Sequence, residues 1–377
     1  MKKILIMLML FVASAISTSS VVVNAAEDYI YLVSSKGVEV TFSNYQKLLN
    51  VGYTDNEIKS ISSDEYYKIS NMNILSIENE EYYIKTTSIE NEDGSITSTD
   101  ETITKDQAYI EIQEIEEQEQ NQDEYGVAPT AISHDIMIED DDNLGGGSSN
   151  PSAYSSATTE YKYLTVTGTF YKNQGNLGTF FIKVNLTWLK TPKKRLIDVI
   201  SINFSDNVQI TSEYINGNQY PAFDSKFTYD ERYIKIYVNL IDDPEYIDQT
   251  TSHEILIDGD DTSNYAYKID QGLGVNYNLP ADIYSDLSGI GYTLRYEYYY
   301  SNFYLTLSAD FIPKQTGLNA ATFAGTYQHQ TVTGHFDWGN VSFSPAPPYF
   351  SYSTHFWVND PTFDETLARQ IFFEDLA

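Results

Sequence analysis

Residues 164–188 read LTVTGTFYKNQGNLGTFFIKVNLTW. Leu164, Val166, Gly168 and Phe170 alternate with Thr165, Thr167 and Thr169. Phe180, Ile182, Val184, Leu186 and Trp188 then alternate with Phe181, Lys183, Asn185 and Thr187. Successive side chains of a strand point to opposite faces, so a period of two predicts two strands with one buried face each. Gln174-Gly175-Asn176 supplies the turn that makes them a hairpin.

The same period continues toward the C-terminus. Ile234, Ile236, Val238 and Leu240 alternate with Tyr233, Lys235, Tyr237 and Asn239. Further strands fit 196–204, 227–229, 253–257, 265–269 and 349–358. Tyr292–Tyr300 and Phe303–Phe311 read as two paired strands. Strand signals without intervening helical periods predict an antiparallel β-sandwich over 161–377. A capping box at Thr362-Phe363-Asp364-Glu365 and a stripe of Phe363, Leu367 and Ile371 predict a helix closing the chain.

Toward the N-terminus the composition changes twice. Residues 121–160 form an acidic, Gly/Ser-rich linker around Asp140-Asp141-Asp142 and Gly145-Gly146-Gly147-Ser148-Ser149. Residues 26–120 read as a small α+β domain. A hairpin turns at Ser34-Ser35-Lys36-Gly37, and capping boxes begin helices at Thr54 and Ser62, with Leu48, Leu49, Ile58 and Ile61 inward. Glu92-Asp93-Gly94 joins two Thr-rich runs as a second hairpin, and Thr104 caps a helix over 108–119. The chain is thus mainly β, a sandwich preceded by a small α+β domain.

Within that domain, Tyr45…Leu49-x-x-Gly52-Tyr53-Thr54-x-x-Glu57-Ile58, and Tyr83-Ile84-Lys85-Thr86 leading to Thr104-Lys105-Asp106, resemble the N-terminal part of uncharacterised secreted proteins of Gram-positive bacteria. The resemblance spans about 80 residues and carries over no activity and no functional residue.

Lys2 and Lys3 precede the apolar run Ile4–Ala15 and the small-residue site Val23-Asn24-Ala25. This predicts a secretory signal peptide over 1–25 and an extracellular product with no integral membrane segment. The chain has no cysteine, which excludes thiol nucleophiles and thiolate metal sites and favours a bacterial exported protein. Its net charge of −32 repels nucleic acid and anionic membrane surfaces. Tyrosine is in excess, with 33 Tyr against 3 Trp, and suits half-buried sheet faces and recognition surfaces.

Several constellations are candidates for chemistry. His329, His335 and Asp337 share parity and, with His355, would suit a metal site if the run folded back. Asp258-Gly259-Asp260-Asp261 offers calcium-type ligands at Asp258, Asp260 and Asp261, without the glycine and glutamate of an EF-hand. A hairpin turn is the competing reading of that loop. Glu297 and Asp310, on adjacent strands, could form a glycosidase pair. No Gly-x-Ser-x-Gly, His-Glu-x-x-His, P-loop or dinucleotide fingerprint occurs. Tyr292, Tyr296, Tyr298, Tyr300 and Tyr304, with Trp338, are the candidate ligand-binding rings. The expected function is a non-enzymatic binding protein for an extracellular glycan or protein, using no cofactor unless calcium. The alternatives are a secreted polysaccharide hydrolase and a β-pore-forming toxin.

Overall fold

A computed structural model describes residues 29–90, 96–124, 157–172, 178–193, 195–215, 217–239, 244–261, 263–290, 292–318, 320–330, 341–343, 356–358, 367–374 and 376. The chain divides into two compact units, Met1–Ser70 and Asn71–Ala377.

The first unit holds strands β1 (Ile30–Val33) and β2 (Glu39–Thr41) and helices α1 (Phe42–Asn50), α2 (Asp55–Lys59) and α3 (Ser63–Ser70). β1 and β2 pair antiparallel across a turn in which Gly37 has φ +80°, a conformation that glycine adopts without a Cβ clash. Each helix begins on a side-chain cap. The Thr41 hydroxyl accepts from the Asn44 N–H, Thr54 and Glu57 close a full capping box, and Ser62 and Glu65 close another. Val40, Leu48, Val51, Ile58, Ile61 and Ile69 are buried, whereas Leu49 is exposed rather than inward.

The second unit opens with β3 (Ile74–Glu90), β4 (Ile96–Ile103) and α4 (Lys105–Glu124). Next come β5 (Ala157–Tyr171), β6 (Thr179–Trp188), β7 (Ile197–Phe204), β8 (Val208–Ile210), β9 (Ser212–Ile215), β10 (Asn218–Pro221) and β11 (Phe223–Asn239). β12 (Glu245–Ile257), β13 (Tyr265–Lys268), β14 (Gly272–Asn278), β15 (Ile283–Asp286) and β16 (Tyr292–Pro313) follow. The last are β17 (Ala321–His329), β18 (Val341–Phe343), β19 (Phe356–Val358) and β20 (Leu367–Phe373).

Two antiparallel sheets form the sandwich. One has the order β12-β11-β16-β6-β5-β3-β4, with β15 and β8 also bonded to β16. The other runs β13-β14-β7-β17-β20. The hairpin read from residues 164–188 is present, pairing Val166 with Val184 and Phe170 with Phe180. One apolar cluster spans both sheets, with Phe180 between Phe323 at 5.3 Å and Phe373 at 5.2 Å. The layers come close where Gly325 faces Val166 and Val184. A Cβ there would lie 2.5 Å from one valine methyl carbon and 2.8 Å from another.

Three sequence expectations are corrected. The strands at 74–103 do not belong with the α+β domain: β3 pairs with β5 along nearly its whole length and joins the large sheet. The closing helix is the strand β20 over 367–373, paired with β17. A spacing of four, as between Leu367 and Ile371, satisfies both the strand and the helix period. Buried Phe373, two residues further on, satisfies only the strand. Finally, 292–313 is one 22-residue strand and not a pair. The residues 125–156 of the expected linker lie outside the described residues, while 157–160 belong to β5.

Candidate functional site

The continuity of β16 rests on one residue. Asn302 has φ +55°, in the left-handed region that asparagine tolerates better than most side chains. Here the register with β11 shifts by one. Phe227 faces Leu305 before the shift, and Tyr233 faces Tyr298 after it. The extra residue lies in β16, which makes a β-bulge. Odd-numbered Phe303, Leu305, Leu307 and Phe311 are buried in the sandwich. Past the bulge the even-numbered residues take over that face.

Past the bulge, four strands continue in the order β12-β11-β16-β15, with most residues half-exposed or exposed on both faces. One face is rich in tyrosine. Tyr233 packs at 4.9 Å from Tyr298 and is stacked on Tyr296 at 6.3 Å, and Tyr229 meets Tyr300 edge-on at 5.8 Å. Desolvation and then its neighbours Tyr298 and Tyr296 raise the Tyr233 hydroxyl above the usual phenol range. Burial and then Glu231 do the same for Tyr300. These hydroxyls keep their protons and act as hydrogen-bond donors at neutral pH.

The other face is charged. Arg232 forms a two-pronged pair with Asp248 at 2.9 and 2.6 Å, and this contact holds the Asp248 carboxyl below its ordinary range. Tyr299 donates to Glu297 at 2.8 Å, and burial together with that bond pushes its hydroxyl up to about 12. Arg295 lies 3.7 Å from Asp286 and 3.8 Å from Glu297. The bulge therefore gathers Tyr229, Tyr233, Tyr296, Tyr298 and Tyr300 on one face and Arg232, Asp248, Arg295 and Glu297 on the other.

Of the candidate rings, Tyr296, Tyr298 and Tyr300 come together on the aromatic face. Tyr292 stands at the exposed start of β16. Tyr304 faces Thr228 and Thr187 before the bulge and so lies on the opposite side of the sheet, which corrects its grouping with the others. Trp338 lies outside the described residues. Sequence reading missed Tyr229 and Tyr233; their odd parity along β11 was the available signal.

The acidic loop is organised as a turn. Asp258 accepts from the Asp260 N–H at 3.2 Å, and Asp261 accepts from Ser263 at 2.7 Å and Asn264 at 2.9 Å. The Asn264 and Ser263 bonds hold Asp261 below the usual carboxyl range, while Asp258 raises Asp260. Among the described residues, no group of three His, Asp or Glu side chains is placed to hold a metal ion. Glu297 and Asp310 share one strand, 13 residues apart, so about 40 Å of backbone separates them and they cannot act as a carboxylate pair.

His329 is buried within the sandwich, and His335, Asp337 and His355 lie outside the described residues. Its Nδ1 sits 2.6 Å from Asp198, whose other oxygen accepts from the Trp188 indole N–H at 2.9 Å. Beside them, the buried Lys162 ammonium is 3.3 Å from Glu160 and 4.7 Å from the centre of the Trp188 ring. Desolvation pulls the His329 pKa down, but the bond and charge of Asp198, with the charge of Glu160, leave it raised overall. The sequence signal for this cluster is parity. Glu160 and Lys162 share the inward register of Leu164, and Asp198 that of Ile200.

No known family model matches the chain, and no curated protein matches it. Among solved structures, the Clostridium perfringens NetB toxin in its membrane-inserted form is 11% identical, with 44% of this chain and 78% of that one covered at a TM-score of 0.18. A structure described as a pore forming protein is also 11% identical, covering 57% of this chain and 91% of that one at a TM-score of 0.21. Superpositions this loose assign neither fold nor function. Among the described residues, no helix is long and apolar enough to cross a membrane.

Proposed function

We propose that this protein is a non-enzymatic extracellular binding protein that takes a neutral glycan on the tyrosine face of its four-stranded extension. The observation that carries the reading is the sorting at Asn302, which gathers Tyr229, Tyr233, Tyr296, Tyr298 and Tyr300 on one side of an open sheet. The half-exposed rings among them, Tyr229, Tyr233, Tyr296 and Tyr298, offer flat apolar faces to pyranose rings, and their hydroxyls donate to sugar oxygens. The carboxylate of Glu231 and the ammonium of Lys235 border the rings and suit sugar hydroxyls. The signal-like first 25 residues support an extracellular site of action.

The test is retention of the full chain on insoluble cell-wall and plant polysaccharides, beside a glycan array. Tyr233→Ala together with Tyr298→Ala should abolish retention while leaving the thermal melt of the sandwich within a few degrees. No retention by the unaltered chain on any polysaccharide would refute the reading.

A second reading, a β-pore-forming protein, has its own observation. Along 292–300, Tyr292, Leu294, Tyr296, Tyr298 and Tyr300 alternate with Thr293, Arg295, Glu297 and Tyr299. Aromatic-out, charged-in alternation over nine residues is the pattern and length of a barrel strand. Dye release from loaded liposomes would support it; intact liposomes at micromolar protein would dispose of it.

A further inference from the structure

Of the strands that end the two sheets, β12 is the longest, with 13 residues against eight in β4, seven in β20 and four in β13. Among the described residues it bonds to β11 alone, so one row of its backbone N–H and C=O groups faces away from the sheet. Its register with β11 is unbroken from Glu245 to Ile257. It holds no proline, lysine or bulge, the devices that usually keep an edge from pairing. All its side chains except Ile247, His253 and Ile257 are exposed.

A chain of net charge −32 should repel its own copy, yet this edge is neutralised locally. Glu245 pairs with Lys235 at 2.8 Å, Asp248 with Arg232 at 2.6 Å and Glu254 with Lys226 at 3.4 Å. Each carboxylate of β12 thus has its cation on β11. The order of residues is also self-complementary. Two antiparallel copies meet through their outward amides only if the numbers of opposed residues have an even sum, which puts the two-fold axis on a residue. Thr251 is the midpoint of β12. With the axis there, Tyr246 lies opposite Leu256 of the second copy, Ile247 opposite Ile255, Gln249 opposite His253 and Thr250 opposite Ser252. The one like-charged match, Asp248 with Glu254, already carries its cations. An axis on Thr250 sets Tyr246 against Glu254, and an axis on Ser252 sets Asp248 against Leu256. Tyr246, Ile255 and Leu256 are 62%, 42% and 61% exposed, so only the central register takes all three out of water against apolar partners.

We propose that the protein forms a two-fold dimer through β12, strand against antiparallel strand, centred on Thr251. About ten backbone hydrogen bonds close across residues 246–256. Opposed residues share a face, so both tyrosine faces lie on one side of the joined sheet. The pairing does not depend on what those tyrosines bind. The test is sedimentation of the full chain at micromolar concentration, which shows a species of twice the chain mass. Tyr246→Lys with Leu256→Lys raises the dissociation constant about tenfold or more, because two apolar matches per dimer become like charges. Its far-UV circular dichroism is unchanged, since both side chains are exposed. The chain has no other cysteine, so Thr251→Cys gives a covalent dimer under mild oxidation, its two Cα atoms lying about 4.5–5.5 Å apart. Thr250→Cys stays reduced, because its two copies are offset by two residues, about 7 Å along the strand. A monomer, larger head-to-tail oligomers, a lysine variant that dimerises as tightly as the parent, a Thr251→Cys variant that stays reduced, or a Thr250→Cys variant that closes as readily would each overturn the proposal.

Discussion

Asp198→Asn tests the part of the sandwich that ordinary hydrophobic packing does not explain. The Asp198 carboxylate sits at zero exposure, 2.6 Å from His329 Nδ1 and 2.9 Å from the Trp188 indole nitrogen. The substitution keeps the shape and one acceptor oxygen but removes the charge. His329 then loses its counter-ion inside the protein. Removing one member of a buried, hydrogen-bonded charge pair costs about 3–5 kcal/mol, a large share of the roughly 5–15 kcal/mol that holds a domain folded. The pH dependence follows from the raised His329 pKa. The folded state holds this proton more tightly than the unfolded chain, where the ordinary value is about 6.5. The stabilisation is complete below about 6.5 and is lost as pH rises through the folded value. Urea unfolding followed by tryptophan fluorescence at pH 5.5 and 8.5 measures both effects. The gap between parent and variant should be several kcal/mol at the lower pH and smaller at the higher. A gap below about 1 kcal/mol at pH 5.5, or one that widens with pH, would refute the argument.

Two further substitutions probe the architecture. Gly325→Ala places a methyl group against Val166 and Val184, where the two sheets approach closely, and should destabilise the second unit by about 1–3 kcal/mol in calorimetry. Thr54→Ala removes the hydroxyl half of the α2 capping box and should cost the first unit about 1 kcal/mol, seen as faster hydrogen exchange at Glu57 and Ile58 with the sandwich unchanged.

How much was legible follows from parity. The hairpin at 164–188 could be read because every second residue is apolar and a glycine turn separates the runs. Inward parity also marked Lys162, Glu160 and Asp198, but a period of hydrophobicity cannot say that polar residues at such positions find one another across two sheets. The tyrosine face was half visible. The inward set is even-numbered over 292–300 and odd-numbered over 303–311, and that break reads equally as a turn between two strands or as a bulge within one. The choice depends on whether Asn302 adopts a left-handed backbone, which tertiary pairing decides and local sequence does not.

Because the chain has no cysteine, introduced pairs report register without interference. Ile234 faces Glu297 and Lys235 faces Tyr296 when the bulge is present; without it, Lys235 would face Glu297. Directly opposed residues lie within disulfide reach, and neighbours one position off point to opposite faces. Under mild oxidation, Ile234→Cys with Glu297→Cys or Lys235→Cys with Tyr296→Cys should close, and Lys235→Cys with Glu297→Cys should stay reduced. Closure of the last pair would mean that Asn302 does not sort the tyrosines, and the aromatic face would not exist.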